Sequence, residues 1–138
     1  MQKRTVFLLQ DTKEANEELL KLFSDTDEYK VIGMANDGIS GIPLIADKRP
    51  DFVITELVLS GYDGISVIEK TLLQGVKTKF IVVSALCREE IVIKAINAGA
   101  KYFMAKPFNF DILRKRMDDI AEEKDKPQTV DLGLNHRG

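Results

Sequence analysis

The sequence predicts a doubly wound α/β domain: a five-stranded parallel sheet with helices on both faces. Five apolar runs of strand length alternate strictly with five segments whose apolar residues recur at helical spacing. Three of the runs are nearly continuously apolar, as parallel strands covered on both faces are. At 138 residues, 44% of them apolar and 30% charged, the chain suffices for one core and is too short for two ordinary domains. Right-handed crossovers turn such an alternation into a parallel sheet with two helical layers.

The expected strands are Thr5-Val6-Phe7-Leu8-Leu9, Tyr29 to Met34, Asp51 to Thr55, Lys79 to Val83 and Lys101 to Ala105. The first helix carries Ala15, Leu19, Leu20 and Phe23, and the second Ile42, Ile45 and Ala46. Ile65, Ile68 and Leu72 mark the third, and Ile91, Val92, Ala95 and Ile96 the fourth, with Gly99 placed to end it. In the fifth, Asn109 is the expected N-cap and Ile112, Leu113, Met117 and Ile120 share one face. The pattern stops after about Glu123. Residues 1–123 are therefore read as the domain, and 124–138, polar and interrupted by Pro127, as a tail or the start of a linker.

Composition narrows the function classes. Twenty Lys and Arg against 22 Asp and Glu give a net charge of -2, so no basic field draws this chain directly onto nucleic acid or a membrane surface. Cys87 is the lone cysteine and His136 the lone histidine, which excludes an internal disulfide and a Cys/His zinc cluster. No apolar run approaches the roughly 20 residues that span a bilayer, and the first strand follows too closely on Met1 for a signal peptide. A cytoplasmic location is expected.

In open α/β sheets the functional crevice lies beyond the carboxyl ends of the strands. There the sequence places Gln10 and Asp11 after the first strand, Glu56 after the third, Ser84 after the fourth and Lys106-Pro107 after the fifth. Two carboxylates, a hydroxyl and an ammonium at strand ends point to a site.

Taken with Leu8-Leu9-Gln10-Asp11, Asp51 to Glu56, Gly61-Tyr62-Asp63-Gly64, Val83-Ser84-Ala85, Ala98-Gly99-Ala100 and Tyr102 to Phe108, these residues resemble the response-regulator receiver domains of two-component signalling, over roughly residues 4 to 122. Val31 to Gly38 and Ala100 to Phe103 are most similar to the sporulation master-regulator branch, whose receivers precede a DNA-binding domain. The resemblance implies the flavodoxin-like (βα)5 fold with strand order 2-1-3-4-5. It implies protein partners: a histidine kinase or phosphotransferase, and an output domain acting in transcription. It also implies that the domain is a switch rather than an enzyme.

In that family two acidic residues after the first strand and an aspartate after the third hold Mg²⁺, and that aspartate accepts a phosphoryl group. Here the first acidic place is Gln10 and the acceptor place is Glu56, leaving Asp11, Glu56 and the backbone carbonyl of Val58 as metal ligands. Trading a carboxylate for an amide weakens a site for a hard dication, so Mg²⁺ is expected to bind weakly and no cofactor to be required. Glutamate is one methylene longer than aspartate, and about 1 Å of misplacement costs about 10²-fold in rate. An unphosphorylated domain is expected, with Lys106 paired to Glu56. Ser84 stands at the place of the hydroxyl that senses the phosphoryl group and Phe103 at that of the switch aromatic. Lys106-Pro107 is the family's cis peptide.

Simpler readings exist for each residue. Asp11 caps the first helix, with Glu14 completing a capping box; Glu56 is a solvated loop charge; Ser84 caps the fourth helix; Phe103 is plain core. Lys106, between Ala105 and Pro107, requires an anion or water. Ile91-Val92-Ile93 is too wide for one buried stripe, so Ile93 faces outward. With Tyr102 it is the candidate for the face of helix four, strand five and helix five, where the family forms dimers or binds output domains; a singly exposed isoleucine accounts for Ile93 equally well. Two other functions fit the alternation: a working phosphorelay receiver with weakened Mg²⁺ binding, and a flavodoxin-like cofactor binder. The loop from Gln10 to Asn16 has acids and no glycine-rich phosphate cradle, which disfavours the latter.

Overall fold

The computed structural model describes residues 2–123, together with the backbone of residues 129–131. In chain order the elements are β1 Arg4–Leu9, α1 Lys13–Ser24, β2 Tyr29–Ala35, α2 Gly38–Lys48, β3 Phe52–Thr55 and α3 Gly64–Leu73. They continue with β4 Lys79–Ser84, α4 Glu89–Ala98, β5 Tyr102–Ala105, α5 Phe110–Glu122 and β6 Thr129–Asp131. The five expected strands are all parallel and stand in the order β2-β1-β3-β4-β5. Their ends lie within one residue of those read from the periodicity.

The sheet has one more strand than expected. β6 pairs parallel to β5, with Tyr102 opposite Thr129, Phe103 opposite Val130 and Met104 opposite Asp131. Part of the segment read as a polar tail thus extends the sheet; the rest of 124–138, including His136, lies outside the described residues.

Alternation along the strands sends successive side chains to opposite faces. Phe7, Leu9, Val53, Phe80, Val82 and Phe103 pack under α2, α3 and α4 with Ile42, Ile45, Val67, Ile68 and Val92. Val6, Leu8, Ile54, Ile81, Val83, Tyr102 and Met104 pack under α1 and α5 with Leu19, Phe23, Leu113, Met117 and Ile120. Each fully buried Leu, Ile or Phe contributes roughly 1.5–3 kcal/mol of transfer free energy. The two layers together fix the sheet and so the spacing of its carboxyl ends.

Helix starts follow local chemistry. The hydroxyl of Thr12 accepts the Ala15 N–H at 3.0 Å, so Thr12 and not Asp11 caps α1. Asp37, Asp63 and Asn109 likewise accept the N–H groups of Ser40, Ser66 and Ile112 at 2.7, 2.8 and 3.0 Å. α4 has no side-chain cap, so Ser84 does not serve it; Gly99, at φ 126°, ends that helix as expected. The Ser40 backbone N–H and hydroxyl hold the Asp37 carboxyl below the ordinary carboxylate range.

A depressed folded-state pKa contributes stability above the unfolded value and loses it as pH falls through the folded one. Asp37→Ala is therefore expected to lower the urea midpoint at neutral pH, and its gap from the unaltered chain to close in acid as the carboxyl protonates. Urea melts at a series of pH values read both.

Candidate functional site

The crevice at the carboxyl ends of β1, β3 and β5 is closed by one ammonium. Lys106 Nζ lies 3.0 Å from Glu56 Oε1 and donates to Gln10 Oε1 at 3.1 Å. Three strand ends that are remote in sequence meet at that nitrogen. Sheet order explains the meeting, because β1, β3, β4 and β5 are consecutive neighbours in space.

Glu56 is only 5% exposed, which rules out a solvated loop charge. Its other oxygen accepts the backbone N–H of Leu57 at 2.7 Å and that of Val58 at 3.4 Å. The backbone holding this carboxylate is itself fixed: Glu56 N–H donates to Leu9 O at 2.9 Å, and the Thr55 hydroxyl donates to Glu56 O at 2.9 Å. Gly64, whose N–H donates to Leu57 O at 2.8 Å, approaches so closely that a Cβ there would stand 2.4 Å from Glu56 O. Glycine is required by that approach and not by an unusual φ.

Gln10 is buried, and its amide works in both directions. Oε1 accepts from Lys106, while Nε2 donates to Leu9 O at 3.3 Å and Ile54 O at 3.4 Å. Asn36 Nδ2 donates to Gln10 O at 3.0 Å, holding the loop after β1 from the end of β2. Asn36 and the Leu57 and Val58 amides are contributors that sequence reasoning missed. Asn36 had a visible signal, standing after an apolar strand in Asn36-Asp37-Gly38; backbone donors have none.

Lys106-Pro107 is a cis peptide, as the resemblance implies. Lys106 N–H donates to Ser84 O at 3.0 Å. Ser84 is buried and its hydroxyl accepts the Leu86 N–H at 3.0 Å, so the structure turns it to the β4–α4 loop. Phe103 is fully buried beneath α3 and α4. Asp11 is exposed beside the crevice, and Val58 is exposed on the loop after β3.

These donors do not fit a hard dication. Both oxygens of Glu56 and the carbonyl oxygen of Gln10 are engaged by an ammonium and amides, and Asp11 is the remaining carboxylate. Among the described residues no three His, Cys, Asp or Glu side chains converge. A divalent ion wants several charged oxygens together.

The expected surface pair separates. Ile93 is 51% exposed on α4, whereas Tyr102 is 1% exposed in the core layer under α1 and α5, with the Arg116 guanidinium 5.9 Å from its ring centre. Tyr102 is thus a core residue and not part of a surface patch: its position on β5 turns it inward against Leu113 and Met117.

The response regulator receiver domain profile matches residues 6–118. A probable C4-dicarboxylate response regulator, DctR, of Priestia megaterium is 28% identical over 114 residues, covering 83% of this chain and 50% of the relative. The chain therefore spans about half the length of that relative. Among solved structures, the signal receiver domain of a NarL response regulator from Mycobacterium tuberculosis superposes with a TM-score of 0.84 at 25% identity, covering 90% of this chain and all of that one. A CheX-CheY complex with BeF3 and Mg from Borrelia burgdorferi gives 0.81 at 21% identity, over 87% of this chain and 90% of that one.

Removing one partner of a buried ion pair leaves the other charge uncompensated. Lys106→Met is expected to lower unfolding free energy by roughly 1–3 kcal/mol, and adding Glu56→Gln to restore part of the loss. Urea unfolding of both variants gives the comparison. Gly64→Ala, which drives a Cβ into the Glu56 carbonyl, is expected to cost roughly 1–3 kcal/mol in the same assay.

Proposed function

The chain belongs to the response regulator receiver domain family, and we propose that it is an atypical member that signals through protein contact without accepting a phosphoryl group. The observation that carries this is the Lys106 ammonium seated between Glu56 and Gln10. With the first acidic place taken by the Gln10 amide and the Glu56 carboxylate engaged by this ammonium and by the Leu57 N–H, few free charged oxygens remain to hold the dication that phosphoryl transfer needs. Glu56 is also held by the Leu57 N–H, so a nucleophilic approach requires breaking a charge-assisted hydrogen bond. Mg²⁺ binding, if the ammonium is displaced at all, is weak.

The readout pair supports a fixed conformation. Ser84 spends its hydroxyl on Leu86 N–H, and Phe103 lies buried, with no ion pair or hydrogen bond linking either to Glu56. A carboxylate carries one charge where a phosphoryl group carries nearly two, so Glu56 is at most a partial mimic.

Output then runs through surfaces. Ile93, Ile112 and Leu86, on α4, α5 and the loop before α4, are exposed apolar side chains suited to a partner or a second copy. The similarity of Val31 to Gly38 to the sporulation branch, and the response-regulator name of the longer relative, support a role in transcription regulation through an output domain. The helices offer no span long and apolar enough to cross a membrane among the described residues, in keeping with a cytoplasmic setting.

Incubation with Mg²⁺ and a small acyl phosphate, followed by intact mass, tests the reading. The unaltered chain is expected to gain nothing, and Glu56→Asp/Gln10→Asp to gain one phosphoryl group. A phosphoryl group on the unaltered chain would refute it.

A further inference from the structure

A sheet of five strands in the order β2-β1-β3-β4-β5 ends at β5, whose outer edge presents unpaired N–H and C=O groups. β5 is also the strand that carries Phe103 and delivers Lys106 to the crevice. In this chain that edge is not open, because Thr129–Asp131 runs parallel along Tyr102–Met104. The geometry points to a cover supplied in cis: we propose that the β5 edge is a docking edge whose occupant is the chain's own Thr129–Asp131 segment. A protein partner adding an extended strand there meets an edge already taken and has to displace that segment first.

Three observations make the segment a cover rather than part of the frame. The pairings of β1 to β5 with one another are complete without it. Its three residues make a short strand, and a ladder that brief has little cooperativity to resist displacement. Its pairing is to β5 alone, at the end of the sheet. Strand addition at such an edge draws affinity from main-chain hydrogen bonds, so occupancy in cis competes with any strand in trans for the same groups.

The proposal does not depend on whether Glu56 can be phosphorylated, and its test is separate. In a parallel ladder successive residues turn their N–H groups to opposite sides. Some amides of Tyr102–Ala105 therefore face β4 and the others β6, and of Val130 and Asp131 one turns its N–H to β5 and the other away. Val130→Pro and Asp131→Pro in the full chain thus remove one inward-facing and one outward-facing donor, and proline is tolerated at an edge where its missing N–H faces solvent. Amide hydrogen exchange is followed residue by residue. At least one of the two variants is expected to raise exchange roughly tenfold or more at alternate β5 amides, leaving the intervening ones and the β1 and β3 amides unchanged. If neither variant alters any β5 amide, the edge is not covered by this segment. If exchange rises alike across β1, β3 and β5, the segment is part of the folding frame and the proposal is equally overturned.

Discussion

The contact on which the rest of the site depends is the ammonium of Lys106 between the Glu56 carboxylate and the Gln10 amide. A carboxylate as buried as Glu56 costs several kcal/mol unless it is paired and hydrogen-bonded. Here both conditions are met: one oxygen has the lysine and the other a backbone N–H at 2.7 Å. The same nitrogen ties together the carboxyl ends of β1, β3 and β5, so the loops above the sheet are positioned by a cross-strand interaction as well as by the core beneath.

Gln10 and Glu56 are matched to each other. Gln10 must accept from Lys106 and also donate to the carbonyls of Leu9 and Ile54. An ionised carboxylate accepts only, and would turn a second negative charge on those two carbonyl oxygens. The amide therefore completes a locally neutral arrangement that a pair of acids would not. The longer glutamate side chain in turn lets one oxygen meet Lys106 while the other folds back to the amide of the next residue.

The strand–helix alternation, the stop at Gly99 and the cap at Asn109 were legible in the sequence, because each is written in residue type and spacing; the Lys106–Glu56 pair was expected from the family resemblance, residue type alone asking only for an anion or water beside Lys106. Thr12 rather than Asp11 as the first cap was not, since two adjacent residues can each accept from the next turn and only the chain direction chooses. Tyr102 also misled: an aromatic on a short strand has two faces available, and its burial rests on Leu113 and Met117 from a helix later in the chain. β6 had a signal that the reading passed over: Val130, Leu132 and Leu134 recur at the period-2 spacing of a strand, behind a polar run broken by Pro127. Bonds made by backbone groups, such as those of Leu57 and Val58 to Glu56, are invisible to any reading of side chains.

The crevice is already filled by the chain's own cation. Magnesium titration into the isotopically labelled chain, followed through the backbone amides of Gln10, Leu57 and Val58 and the side-chain amide of Gln10, tests it most directly. These signals are expected to stay in place through millimolar Mg²⁺, with no saturable change. Saturable shifts confined to those groups would contradict it, showing that a dication displaces Lys106 and that the site is open to metal-dependent phosphoryl transfer.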